Sequence, residues 1–147
     1  MVCLGNICRS PLAEGIMRHL ADENSLDWQI DSAGTGNWHV GEGPDGRSTR
    51  AARNHGVDIS KQVCRQVRRS DFHEFDLILV MDKNNRSDVL AMAPDAQAAA
   101  KVKLLLGDKE VPDPYYDDTL FEPVFQLIEK GCKDIIKKFT AETSQGE

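Results

Sequence analysis

The chain has 147 residues, 40% apolar and 29% charged, with 18 basic against 24 acidic residues and a net charge of −6. That length and balance describe one globular domain able to bury its own core, and argue against a disordered, fibrous or membrane-spanning chain. The acidic balance also argues against a nucleic-acid or anionic-membrane surface, so an anionic ligand has to be held by local geometry. With neither a run of ~18 apolar residues nor a basic-then-apolar start, the cytoplasm is the expected compartment. Cys3, Cys8, Cys64 and Cys132 lack the paired spacing of a zinc site, and His19, His39, His55 and His73 are scattered, so no metal is expected and the histidines read as solvated or structural.

In chain order, Ser10-Pro11 reads as a helix start, with Ser10 as N-cap, Pro11 at the first helical position, and Leu12, Ile16 and Leu20 on one face. Trp28 to Ser32 alternates like a strand and runs into a turn at Ala33-Gly34-Thr35-Gly36. Arg47 to Asn54 is helical, stopped by Gly56, and Phe75 to Met81 is a nearly continuous apolar strand. Lys83 to Ala91 is a helix, Val102 to Leu106 a short strand, and Pro112 to Asp118 a loop rich in proline and acid. Phe121 to Phe139 closes the chain as a long helix with Val124, Leu127, Ile128, Cys132, Ile135 and Ile136 inward. Residues 1–142 then form one domain, and Thr143 to Glu147 a frayed tail. Alternating strands and helices imply an α/β fold: a mainly parallel twisted sheet, helices on both faces, and ligands at the carboxyl ends of the strands.

The chemistry is concentrated in Cys3-Leu4-Gly5-Asn6-Ile7-Cys8-Arg9-Ser10. A loop of inward-facing backbone N–H groups that ends at a helix N-terminus makes an anion cradle from fixed dipoles. Gly5 and Asn6 tolerate the left-handed backbone such a loop needs. The same positive field favours the thiolate of Cys3, a nucleophile suited to phosphorus, while Arg9 can grip two non-bridging oxygens at once. A second group is needed to protonate a leaving oxide, and Asp113, Asp117 and Asp118 all compete for that role. Pro114 restricts the chain beside Asp113 alone and favours it.

Val2-Cys3-Leu4-Gly5-Asn6-Ile7-Cys8-Arg9-Ser10-Pro11 resembles the phosphate-binding loop of the low-molecular-weight protein tyrosine phosphatases. Asp31-Ser32-Ala33-Gly34-Thr35, Pro44-Asp45, His55-Gly56, Arg65-Gln66, Val80-Met81-Asp82 and Asp113-Pro114-Tyr115-Tyr116 extend the resemblance over nearly the whole chain. It implies a single Rossmann-like domain, a phosphocysteine intermediate and no cofactor. It implies Cys3 as nucleophile, Arg9 as transition-state clamp, Ser10 as hydroxyl donor to the sulfur, Asn6 as the loop's internal brace, and Asp113 as general acid and then base. Leu4, Gly5, Ile7 and Cys8 would supply the rest of the cradle. Trp38, Tyr115 and Tyr116 resemble the family's pocket walls, whose depth favours phosphotyrosine and other aryl phosphates over shorter alkyl ones. A monomer or weak dimer acting on a phosphotyrosine protein is expected.

The chain departs from the resemblance at two places. Only Met1 and Val2 precede Cys3, so the first strand is expected to be cut short and the native start to lie upstream. Gln62 stands where relatives carry a histidine that supports the loop asparagine, and it is expected to give a less rigid loop. Cys8 offers either a transient disulfide with Cys3 or a small packing residue, whereas Cys64 and Cys132 read as packing residues. Arsenate reduction on the same loop, which needs a relay of further cysteines, and non-catalytic phosphotyrosine binding are the competing functions.

Overall fold

The computed structural model describes residues 1–145. Its centre is a parallel four-stranded sheet, β1 (Val2–Cys3), β2 (Ala33–Gly34), β3 (Ile78–Val80) and β4 (Val102–Leu104), in the order β2-β1-β3-β4. Val2 pairs with Ala33 on one side and Val80 on the other, and β3 pairs with β4 from Ile78↔Val102 to Val80↔Leu104. The chain therefore winds one way from β1 to β2 and the other way to β3, which opens a crevice at the carboxyl ends of β1 and β3.

Period-two alternation covers both faces of this sheet. Cys3 and Leu79 face a core shared with helices α1 (Arg9–Glu23), α2 (Gly46–Asn54) and α6 (Phe121–Gln145). Val2, Ile78 and Val80 face a second core with Phe72, Val89 and Ala98, from α3 (Asp71–Glu74), α4 (Lys83–Leu90) and α5 (Ala96–Ala99). Leu12, Ile16 and Leu20 are buried on one stripe of α1, as their spacing predicts, and Val124, Phe125, Ile128, Cys132 and Ile136 meet them from α6. Leu127 and Ile135 of the expected stripe are only half-buried, and Phe125, stacked on His55 with ring centroids 4.0 Å apart, takes their place.

Several element boundaries differ from the sequence expectation. Cys8, not Ser10, is the N-cap of α1; Ser10 lies inside the first turn, where its hydroxyl meets the Cys3 sulfur rather than a helix N–H. Trp28 to Ser32 form no ladder, and the pair assigned to a turn, Ala33-Gly34, is the strand, because that is where β1 runs alongside. The seven-residue strand at Phe75 to Met81 shrinks to Ile78–Val80, the length its partner β4 can pair. Helix α6 continues past Phe139 through residues 143–145, which had been assigned to the tail, while 146 and 147 lie outside the described residues. Helices α3 and α5 are four residues each, too short to show a period.

Gly34 binds the sheet to the loop that follows β1. A Cβ there would lie 2.8 Å from the Leu4 carbonyl oxygen and 3.1 Å from the Asn6 nitrogen, both backbone atoms. Gly34→Ala is expected to lower stability by about 1–3 kcal/mol and, by displacing the loop, to weaken vanadate binding about tenfold. Thermal melts and vanadate inhibition check this; unaltered inhibition would show that the contact does not shape the loop.

Candidate active site

The loop between β1 and α1 folds around Asn6, which has φ of 58°, a left-handed backbone that asparagine adopts more readily than most residues. Gly5 keeps an ordinary φ, so the tolerance expected of both residues is used only at Asn6. What Gly5 supplies is space, since a Cβ there would come within 3.3 Å of the His39 ring.

Every polar atom of Asn6 is engaged. Its Nδ2 donates to Ser10 Oγ at 2.7 Å and Ser32 Oγ at 3.1 Å, and its Oδ1 accepts from the Arg65 N–H at 3.0 Å. Its carbonyl accepts the Cys64 S–H at 2.8 Å, and its N–H donates to Cys3 Sγ at 3.3 Å. Behind it, Ser32 Oγ donates to the buried Glu14 carboxylate at 2.8 Å, which also takes Arg18 Nε at 3.1 Å. The Asn6 amide donates to Ser10 Oγ, which leaves the Ser10 hydroxyl proton two acceptors, Cys3 Sγ at 3.1 Å and the Ala33 carbonyl at 3.5 Å. Gln62 does not reach Asn6: its Nε2 donates to the Pro11 carbonyl at 3.0 Å, and Ser32, Arg65 and Cys64 hold the asparagine.

Arg9 is 3% exposed and its Nη1 is held by Asp82 Oδ2 at 2.8 Å and the Val111 carbonyl at 2.9 Å, which fixes the guanidinium plane. Asp82 follows β3 and caps α4 through the Asn85 N–H at 2.7 Å, so the crevice of the sheet supplies the arginine's counter-ion. Sequence reasoning gave Asp82 no role, although an acid directly after a buried strand was the available signal. The Nη2 of Arg9 lies 3.8 Å from Asp113 Oδ2.

These groups line a cavity of about 330 Å³ bounded by Cys3, Leu4, Gly5, Ile7, Cys8, Arg9, Trp38, His39, Asp113, Tyr115 and Tyr116. The chain thus brings Cys3, Arg9 and Asp113 together with all three expected wall aromatics. Trp38, packed over Gly36, is 68% exposed and Tyr116 is 92% exposed, so the aromatics form an open rim above a buried floor. His39 is the addition, its imidazole paired with Glu42 at 2.5 Å; a lone loop histidine gave no signal of this. Of the three competing acids only Asp113 lines the cavity. Asp117 is turned to Thr119 and Asp118 to Arg47, whereas Asp113 faces the cavity, its Oδ1 accepting the Tyr115 N–H at 3.0 Å. Among the described residues no cluster of three or more His, Cys, Asp or Glu side chains has metal-binding geometry.

Cys8, Cys64 and Cys132 ionise less readily than a free cysteine. Burial, then the negative charge of Asp45, pushes Cys8 up to about 12. Burial and Glu42 push Cys64 up to about 11, and burial pushes Cys132 up to about 12. A raised folded-state pKa means that stability is fully present below the unfolded value of about 8.5 and is lost as pH rises through the folded values. Equilibrium unfolding between pH 7 and 10 should therefore lose stability progressively above about 8.5, and Cys132→Val should flatten that loss. A flat profile in the parent chain would contradict it.

The comparisons with known proteins agree with this geometry. The class they define is that of the protein tyrosine phosphatases, with the cavity lined by Cys3, Arg9 and Asp113 as its candidate site. The family model for low molecular weight phosphotyrosine protein phosphatases matches residues 1–145, and the chain belongs to that family. A putative low molecular weight protein-tyrosine-phosphatase of Synechocystis sp. is 45% identical, covering 92% of this chain and 91% of that protein. The low molecular weight protein-tyrosine-phosphatase YfkJ of Bacillus subtilis is 40% identical, and its crystal structure superposes with a TM-score of 0.88 over 96% of this chain and 92% of that one. The protein tyrosine phosphatase of Entamoeba histolytica gives a TM-score of 0.90 at 34% identity, over 97% and 96% of the two chains.

Proposed function

We propose that this protein tyrosine phosphatase hydrolyses phosphotyrosine in proteins, and other aryl phosphates, with Cys3, Arg9, Ser10 and Asp113 in the roles the cavity suggests. The observation that carries the assignment is Cys3 Sγ, held by the Asn6 N–H and Ser10 Oγ at 3.3 and 3.1 Å on the wall of the same cavity that receives Arg9 and Asp113.

In the first step the Cys3 thiolate attacks phosphorus and the P–O bond to the aryl group breaks. The aryloxide leaves with the bonding pair and takes a proton from Asp113. Oδ1 of Asp113 is committed to the Tyr115 N–H, so Oδ2, on the Arg9 side, carries that proton. In the second step Asp113, now a carboxylate, takes a proton from water as its oxygen attacks the phosphocysteine; the P–S bond breaks and the thiolate returns. Ser10 O–H stabilises that departing thiolate. Arg9 and the backbone N–H groups of the loop follow the phosphoryl oxygens through both steps, a preorganised electrostatic contribution. Trp38, Tyr115 and Tyr116 line the mouth of the cavity, where a planar ring can stack, which supports aryl over alkyl esters.

A reducing, cytoplasmic setting suits a chain with four unpaired cysteines. Arsenate reduction is less well supported, because Cys64 and Cys132 are buried, less readily ionised than a free cysteine and hydrogen-bonded to the Asn6 and Ala13 carbonyls, 2.8 and 4.0 Å away.

Aryl-phosphate turnover tests the assignment. Cys3→Ser should abolish turnover while still binding vanadate. Arg9→Lys, which loses the two-oxygen grip, should lower kcat/KM at least ~100-fold. Asp113→Ala should slow poor leaving groups ~10²–10⁴-fold and good ones far less. Turnover that survives Cys3→Ser would end the proposal.

A further inference from the structure

We infer that Arg47 is a positioning residue that clamps the Asp113 loop to the phosphate loop, making proton donation to the leaving group dependent on a side chain that does not line the cavity. The inference rests on Asp113 being the general acid.

Asp113 sits on a segment without regular secondary structure, and its carboxylate is 43% exposed. Arg9 holds the start of that segment through the Val111 carbonyl, and Arg47 ties the part that follows Asp113 to the rest of the site. Its Nη1 donates to the Tyr115 carbonyl at 3.0 Å and to Asp118 Oδ1 at 2.5 Å. Its guanidinium also lies over the Tyr115 ring, 5.4 Å from the centroid, and over the Phe121 ring at 4.6 Å. One side chain thus grips the segment at Tyr115, Asp118 and the start of α6. The grip on Tyr115 is transmitted directly, because the Tyr115 N–H is the group that orients Asp113 Oδ1.

The other edge of the guanidinium faces the phosphate loop. Nε and Nη2 form a fork on Asp45 at 3.0 and 2.9 Å, and the Asp45 N–H donates to the Ile7 carbonyl at 2.8 Å. Asp45 is held in place by capping α2 through the Arg47 N–H at 2.8 Å, and Arg47 keeps its carboxyl below the usual carboxylate range. The connection runs Ile7, Asp45, Arg47, Tyr115, Asp113: from the cradle to the proton donor. A lysine cannot reproduce it, because a point charge cannot fork on Asp45 while donating to Tyr115 and stacking on two rings. Asp118 is 81% exposed, and exposed ion pairs contribute little to global stability. Loss of the Asp118 contact should therefore fall on where the acid sits, whereas Arg47→Gln also unpairs the Asp45 carboxylate, 14% exposed, and should lower stability as well.

The test is kcat/KM for a series of aryl phosphates from 2,4-dinitrophenyl to phenyl phosphate, with vanadate inhibition alongside, for wild type, Arg47→Gln, Asp113→Ala and the double variant. For Arg47→Gln we expect about tenfold or greater loss on phenyl phosphate and less than about threefold on the dinitrophenyl ester, since only a poor leaving group needs the proton. Vanadate inhibition should stay within about threefold, and Arg47→Gln should add no loss to Asp113→Ala. Should Arg47→Gln not fold, Asp118→Asn removes one contact from the exposed side and should show the same leaving-group bias, about two- to threefold. An equal loss across the series, an additive loss in the double variant, or no loss at all would overturn the inference. If Asp113→Ala steepens the leaving-group dependence and Arg47→Gln does not, the clamp fails alone. If Asp113→Ala leaves the dependence unaltered, the assignment of the acid fails and the clamp with it.

Discussion

One residue in a left-handed conformation organises this molecule. Turning the backbone at Asn6 lets its N–H reach the Cys3 sulfur, so the anion cradle exists only while that turn is held. An isolated chain would not keep it, because αL is a minor well for any residue with a Cβ. Here Asn6 donates to Ser10 and Ser32 and accepts from the Arg65 N–H and Cys64 S–H, and Asn6 is 2% exposed, so these bonds form away from competing water. The strain is local and its restraint is distributed over three other segments of the fold. The closeness of Gly34 to Leu4 and Asn6 adds a steric wall to the same restraint.

The sheet explains why those segments meet. Strands of two or three residues are short for a parallel sheet, and most of the stability must come from the helices on its faces. What the ladder does supply is direction: β1 and β3 deliver the phosphate loop and Asp82 to the same crevice from opposite windings. Arg9 belongs to both, as part of the loop by sequence and bound to the end of β3 by charge.

Much of this was legible beforehand, for identifiable reasons. The loop from Cys3 to Ser10 is contiguous, so its residue types and spacing carry its chemistry, and the stripe of Leu12, Ile16 and Leu20 carries the packing of α1. What was misread depends on partners distant in sequence. Ser10 looks like a cap because serine before proline usually is one; the sulfur seven residues earlier that claims its hydroxyl shows only in three dimensions. Ala33-Gly34 looks like a turn, and a strand neighbour makes it a strand. Gln62 sits at the position where a supporting histidine was expected, yet its amide is bound to Pro11. His39 and Arg47 gave no pattern at all, since loop placement is set by tertiary contacts.

The rim and the floor of the cavity obey different constraints. The floor is enclosed by hydrogen bonds in which a change to one residue unsettles several, whereas Trp38 and Tyr116 stand largely in solvent and make no bond that the cradle requires. Under the proposed function, selectivity is then separable from reactivity in this scaffold. A designer or a diverging lineage can exchange the outer aromatics to admit new esters, as one changes the jaws of a vice, while the screw beneath keeps its thread.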